Sequence, residues 1–396
     1  MTMAAAIDSR TAEAAPRAKP GRIAQIDVVS DFGSAEQAWR ILESSGQLFT
    51  AYQRFDFLQS WQQDVGTSDG ATPLIVIAYD AEARPLLLLP LAVKQIHGFV
   101  VASFMGGKHT TFNMALWDRD FAAGAQRTDI ESVIGELRRR GAADVLALAQ
   151  QPLHWNDVSN PLTSLAHQAS VNDCPVLTMK AGAAPETLIS SSMRRRLKSK
   201  EGKLNKLAGY RHYVATDDAD IARLLDWFFR VKPVRMAQQR LPNVFAEKGV
   251  ADFIRRACLI PRPGGGRLID IHALECDEEI IAIYAGVDDG HRFSMMFNSY
   301  TLSDHARFSP GLILIRNIID HYAARGYRAL DLGVGSDGYK QMFCKREETI
   351  FDSFVPLSPL GQLAAVAMSA AGRGKRLVKH NPALLSLADG LRKALR

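Results

Sequence analysis

The chain is predicted to be an α/β protein with mixed sheets, made by duplicating one unit. Three observations predict this. Apolar runs of strand length, broken by short polar turns, occur in two separate blocks. Each block then reaches a helix-period stretch stopped by a glycine, Gly141 in the first and Gly326 in the second. After each stop comes a short apolar strand, ADVLALA in one copy and RALDLG in the other. Residue identity between the copies is low, but element order and turn positions agree, which is the mark of an internal repeat.

The first copy opens with a strand over Ile23 to Val29 and a helix over Ala35 to Ser44, with Ser34 as its cap. Phe57, Leu58 and Trp61 at helical spacing place a second helix over Phe55 to Val65. Leu74 to Tyr79 and Leu86 to Val93 form a hairpin around Asp80–Arg84, and Phe99 to Met105 adds a third strand. A helix over Asp129 to Arg140 and a strand over Val145 to Ala149 complete it. Between the copies lie a basic helix, Met193 to Lys206, and a helix over Ala219 to Arg230. The second copy repeats the order: a hairpin of Leu268 to Leu274 and Ile280 to Val287, a strand from His291 to Tyr300, a helix from Leu312 to Ala324, and a strand from Ala329 to Leu332. Two short basic helices, Leu360 to Ala371 and Leu384 to Leu395, follow.

The 396 residues, 47% hydrophobic and 23% charged, allow two domains with ample cores. The four cysteines are scattered without a CxxC pair, so neither a disulfide framework nor a zinc spacing is present, which fits a reducing cytoplasm. No HExxH, HxxxH or carboxylate pair stands at metal spacing, and no metal is expected. Residues 1–22 lack the apolar core of a signal peptide and read as a disordered tail. The longest apolar run, Leu86 to Val93, is too short to span a bilayer. The net charge of +6 suits an anionic partner or serves solubility alone. The basic run from Arg194 to Lys206 has no interleaved aromatics, so it reads as a solvated helix face and no nucleic-acid partner is expected. The basic, partly amphipathic C-terminal helices leave peripheral membrane contact open.

The chemistry concentrates between Arg307 and Phe343. Ser309-Pro310-Gly311 leads from a polar loop into a helix. Orphan N–H groups and the dipole of a helix start favour a phosphate there. Arg307, Phe308, Ser309, Gly311 and Leu312 are the candidate phosphate-binding residues, with Pro310 suited to the first helical position. Asp331, at a strand end before Gly333, either orients an acceptor hydroxyl or amine or caps the turn. Tyr339 is a candidate general acid for a departing thiolate, with a packed aromatic as the alternative. Lys340 reads as an anion contact, and Asn298, Ser299 and Tyr300 as the acceptor side. His291 reads as a surface residue and His272 as a core one.

This stretch resembles the GNAT-type domain of the CelD/BcsL (BioF2-like) acetyltransferases. The resemblance rests on Ser309-Pro310-Gly311, Gly326, Asp331-Leu332-Gly333 and Tyr339-Lys340, in that order, and on the basic helix from Met193. It extends more loosely over QLFTAYQRFDFLQSWQQ and RPLLLLPLAV in the first copy. It implies tandem GNAT-like folds: a degenerate domain over residues 23–168, an acyltransferase domain over 172–356, and a basic helical tail over 357–396. It implies acyl-CoA, acetyl-CoA first, as co-substrate, and transfer to an amine or hydroxyl of a small-molecule or saccharide acceptor in exopolysaccharide or envelope synthesis. The protein would then work in the cytoplasm or beside the inner membrane. The chain is also similar to FemAB-type transferases, which implies aminoacyl-tRNA as the alternative donor. A non-catalytic scaffold of a polysaccharide system is the third reading. Lacking Ser-Pro-Gly and Tyr-Lys, the first copy is expected to be silent and to wall one side of the cleft.

Overall fold

The computed structural model describes residues 22–180, 182–335, 338–381 and Leu384. The expected tail over residues 1–21, and nearly all of the helix expected over 384–395, lie outside the described residues.

In the first half the elements are β1 Gln25–Val29, α1 Phe32–Leu42, α2 Phe55–Trp61, β2 Thr72–Tyr79, β3 Pro85–Ile96, β4 Phe99–Phe104, α3 Arg127–Arg140, β5 Val145–Pro152 and β6 Gln168–Ala169. β7 Cys174–Thr178 and α4 Ser191–Leu204 lead into the second. There follow β8 Arg211–Val214, α5 Asp218–Gln238, α6 Val250–Leu259, β9 Asp270–Glu275, β10 Ile280–Asp288, β11 Arg292–Tyr300, α7 Pro310–Ala324, β12 Ala329–Asp331, β13 Arg346–Glu348, β14 Ile350–Pro356 and α8 Pro359–His380.

The two principal sheets have the same plan. One runs β1-β2-β3-β4-β5-β14-β6 and the other β8-β9-β10-β11-β12-β7-β13. In each, the fourth and fifth strands are parallel and every other adjacent pair is antiparallel. Two helices precede the second strand of each sheet, and one long helix joins the fourth strand to the fifth, preceded in the first half by a five-residue helical turn over Arg119–Ala123. The duplication is therefore present strand for strand. The sixth strand is exchanged: β14, from beyond the second unit, completes the first sheet, while β7, from between the units, completes the second. The first sheet is therefore not complete within one contiguous segment, whereas the strands of the second all lie between Cys174 and Glu348.

Several boundaries differ from expectation for local reasons. α1 begins at Phe32 because Asp31, not Ser34, is its cap, accepting from the Ser34 N–H at 2.8 Å. α5 runs 21 residues and passes through Pro233 rather than stopping at Arg230. A proline inside a helix forfeits one hydrogen bond, and the burial of Trp227, Phe228, Val231 and Met236 along the same helix offsets that loss. α8 is one 22-residue helix containing Gly372 and Gly374, where a break had been expected. It packs on β14 and β5 through Ala364 and Ala365.

The sheet of the second half is covered on both faces. α5 and α6 share one core with Ile271, Ala273, Ile283 and Phe297. α4 and α7 share another with Leu274, Ile281, Ala282 and Phe293.

Candidate active site

β11 and β12 are paired over only three residues, Arg292↔Ala329, Phe293↔Leu330 and Ser294↔Asp331. β12 then ends while β11 continues to Tyr300. A gap opens between them. The ladder of β11 with β10 slips between Ala285 and Gly286, so Met296 is an extra residue on β11. The bulge needs glycine on the facing strand: a Cβ on Gly286 would stand 2.4 Å from the Ser294 carbonyl oxygen. Beyond it, the Thr301 N–H donates to the Ile281 carbonyl at 2.8 Å. Antiparallel alternation then turns the Asn298 and Tyr300 backbone groups away from β10, toward the gap.

The gap opens into a cleft of about 1000 Å³. Its walls come from both halves: Lys108 to Thr111 from the first, and α5, α6, β11, the start of α7 and the β12 turn from the second. Among the described residues lining it are Lys108, His109, Lys232, Arg235 and Lys340, and no Asp or Glu.

At one mouth stands the start of α7. Ser309, Pro310, Gly311 and Leu312 all line the cleft. Ser309 has φ +57°, a left-handed conformation costly for a residue with a Cβ. Its hydroxyl accepts from Lys200 Nζ at 2.7 Å. Pro310 has no N–H, and the Leu312 and Ile313 N–H groups both donate back to the Ser309 carbonyl. Gly311, at the second helical position, is left as the first-turn donor that the helix does not use. No side chain caps this helix and no acidic residue lies in its first turn. Arg307 and Phe308 are not among the lining residues. Arg307 is exposed and lies over the Phe308 ring, 4.9 Å from its centroid. They stand outside the cleft because the turn before Ser309 closes as a 3₁₀ helix over Asp304–Phe308.

Asn298, Tyr300, Tyr339 and Lys340 all line the cleft, as does Ser299. Lys340 is buried, and its ammonium donates to the Gly333 and Val334 carbonyls at 3.2 and 3.0 Å. It pins the turn that carries Tyr339. Gly333, at φ +77°, passes within reach of β11: a Cβ there would stand 3.3 Å from the Met295 carbonyl oxygen.

Asp331 lies elsewhere. Its side chain has no exposure, and it accepts from Arg292 Nε at 2.8 Å, from the Ser294 hydroxyl and from the Gly333 N–H at 3.0 Å. It cannot touch an acceptor from there; it ties β11 to β12 just before they part and shapes the Gly333 turn. Its partner Arg292 also donates to Glu348 at 2.6 Å, and its guanidinium lies 4.3 Å from the Phe112 ring centroid and 4.9 Å from that of Trp155, both in the first half. Burial opposes the charge on Arg292, but Asp331 and Glu348 outweigh it and hold its pKa above the ordinary arginine value. Asp331 is thus part of a bolt between the halves.

The residues that sequence reading missed come from two places. His109 follows Gly106-Gly107 in the first half; its Nδ1 accepts from the Trp61 indole N–H at 3.1 Å. With that lone pair taken, the neutral ring carries its proton on Nε2 and is a donor, not a base. Burial, then the nearby Lys108 charge, pushes its pKa down. Lys232 and Arg235 lie on the part of α5 beyond Arg230, where the sequence reading had ended the helix. No signal marked His109; for the two cations, continuing the helical period through Pro233 would have placed both on one face.

The cleft thus joins the uncapped start of α7 to the α5 side through a splayed strand pair. Residues 191–341 match the family model for the acetyltransferase (GNAT) domain. No curated protein matches the chain. Among solved structures it is similar to FemX, at 8% identity and a TM-score of 0.56, covering 85% of this chain and 99% of that one. It is similar to the C-terminal domain of a putative lysylphosphatidylglycerol synthetase from Agrobacterium fabrum, at 11% identity and a TM-score of 0.50, covering 86% and 96%. A conserved protein of unknown function from Bacteroides thetaiotaomicron gives 10% identity and 0.50, covering 84% and 100%. At such identities the likeness is one of fold: two GNAT-like α/β units in tandem, followed by a C-terminal helix. Among the described residues no group of three or more His, Cys, Asp or Glu could hold a metal ion, and no helix is long and apolar enough to cross a membrane.

Proposed function

We propose that the second half transfers an acyl group, acetyl by the sequence resemblance, from acyl-CoA to an amine or hydroxyl of an acceptor held in the cleft. The observation that carries this is the gap beyond Ser294, with an uncapped helix start at one mouth and Tyr339 at its lip. The donor's phosphates face the Gly311 N–H and Lys200, and its amide arm follows the free edge of β11. Anion binding at a helix start is worth ~0.3–1 kcal/mol at the surface and up to ~2 kcal/mol when partly buried. A micromolar donor needs ~8 kcal/mol, so the helix start aligns the donor and the strand edge supplies most of the affinity. The acceptor nitrogen or oxygen attacks the thioester carbonyl. The C–N or C–O bond forms, the C–S bond breaks, and the thiolate takes the Tyr339 phenol proton; the acceptor's proton leaves to water and restores the phenol in turn. In this reading the Met296 N–H, at the bulge of β11, meets the carbonyl oxygen as charge develops.

The motifs around Ser309, Asp331 and Tyr339 favour a CelD/BcsL-type role in exopolysaccharide or envelope synthesis in the cytoplasm. Calorimetric titration with CoA and acetyl-CoA tests the donor. Saturable micromolar binding supports the reading; its absence, with steeply salt-dependent tRNA binding instead, favours an aminoacyl-tRNA donor. Arg195, Arg196, Lys198 and Lys203 are exposed on α4, and Lys200 of the same helix reaches Ser309, which is the observation that keeps that second reading. Failure to bind either donor would favour a scaffold.

The outer face of α8 exposes Leu360, Leu363, Val366 and Leu377, with Arg373 and Lys375 beside the last. We propose that this face rests on an anionic membrane, the apolar ridge entering and the basic end meeting the headgroups. Sedimentation with phosphatidylglycerol vesicles, lost in the double variant Leu363→Gln, Val366→Gln, is the expected result. Equal binding to neutral vesicles, or a dimer that the variant abolishes, would refute it.

A further inference from the structure

Two half-buried cations line the cleft without a carboxylate partner among the described residues. Lys232 Nζ donates to the Asn298 carbonyl at 3.0 Å and lies 5.7 Å from the Phe245 ring centroid. Arg235 donates to the Tyr300 carbonyl through Nε at 3.2 Å and to the Thr301 carbonyl, with its guanidinium 3.6 Å from the Tyr300 ring centroid. Among the described residues no carboxylate lies within ion-pair distance of either. The more deeply buried arginines of this fold are paired: Arg194 with Asp320, Arg292 with Asp331 and Arg316 with Glu201, as is Arg262 with Asp288. Removing a cation from water without an anion is costly, and carbonyl dipoles and ring faces return only part of that cost. Burial pushes the Lys232 pKa down, the direction expected of an ammonium lacking a partner.

Their position says which substrate they serve. α5 packs on the sheet face opposite α7, so Lys232 and Arg235 reach the β11 edge from the acceptor side. We propose that they form a subsite for an anionic group, a carboxylate or a phosphate, on the acceptor. This rests on the donor reading above, in which the α7 face holds the CoA phosphates. Two cations one helical turn apart can both reach a single oxyanion. The carbonyls they now occupy keep a second lone pair for the donor's amide N–H groups.

The test uses the full chain saturated with CoA, so that the α7 mouth is filled, titrated separately with inorganic phosphate and with succinate. Saturable binding of either anion is expected, weakened at least tenfold in Lys232→Met and in Arg235→Met, with CoA affinity within twofold of the parent. The tighter anion identifies the group. Lys232→Gln, which keeps a hydrogen bond to Asn298 without the charge, should weaken anion binding equally and guards against a folding artefact. Parent-like anion binding in these variants overturns the proposal, and so does a tenfold loss of CoA affinity, which would assign the cations to the donor. If the parent does not bind CoA, the donor reading fails, and the same titrations without CoA still decide the subsite.

Discussion

α3 and α7 occupy the same place in their two units, each joining the fourth strand to the fifth, yet their first turns are opposites. α3 satisfies itself: Asp129, its third residue, accepts from the Gln126 N–H at 2.9 Å and from the Arg22 N–H at 3.2 Å. The helix carries its own anion. α7 has Leu312 at the same position and no capping side chain. The strands beside them differ in the same sense. β4 ends at Phe104, just past its pairing with β5, whereas β11 outruns β12 by six residues, from Met295 to Tyr300. The first unit encloses an apolar cavity of about 10 Å³ behind Leu87 and Trp117; the second opens into about 1000 Å³. One fold therefore comes in a closed form, with a carboxylate at the helix start, and in an open form, with that start uncapped and one strand left long.

The largest way to break the comparison is to cut the bolt that holds the two units face to face. Asp331→Ala leaves Arg292 buried and short of its main partner, a loss of ~3–5 kcal/mol. Denaturant unfolding checks this, and an unchanged midpoint would show that Phe112, Trp155 and Glu348 suffice to hold Arg292.

Next, the second unit can be made to resemble the first. Leu312→Asp places a carboxylate where α3 has Asp129. Helix stability should hold or rise slightly, while CoA affinity falls at least tenfold, ~1.4 kcal/mol, by calorimetry. A smaller loss would remove the α7 start from the donor site.

Tyr339→Phe asks whether the open unit does the proposed proton chemistry. Turnover should fall at least tenfold, of order 1.4 kcal/mol in the barrier, with CoA affinity unchanged. Undiminished turnover assigns the thiolate's proton elsewhere.

The smallest effect separates the units by pH. His212 and His272 on the second sheet cluster with His321 of α7, with His272 Nε2 3.1 Å from the Tyr322 hydroxyl and its Nδ1 3.4 Å from His212 Nε2. Burial above all pushes His212 and His321 down to about 4 and His272 well below its ordinary value. The unfolded chain binds these protons first. Stability is therefore full above the ordinary histidine pKa of 6.5 and is lost as pH falls toward about 4. Hydrogen exchange at pH 5 should show β8, β9 and α7 losing protection before β2 and β3; equal loss would deny the cluster that role.

Much of this molecule was legible in the chain. Local chemistry placed the Gly141 and Gly326 stops, both with positive φ, the two hairpins, and the Pro310 helix start. Those are decided within a few residues, by backbone sterics and the period of apolar side chains. Asn298, Tyr300, Ser309, Gly311, Leu312, Tyr339 and Lys340 were recognisable because they sit on such signals, and all of them line one cleft. The chain could not announce the exchange of β7 and β14, since strand order is settled by which edge offers unpaired backbone and an apolar face. Nor could it distinguish an Asp331 that meets substrate from one that meets Arg292, or show that His109 from the sealed unit and Lys232 and Arg235 from beyond Pro233 reach the cleft of the open one. Those depend on distances between residues far apart in sequence, and only packing the two units face to face brings them together.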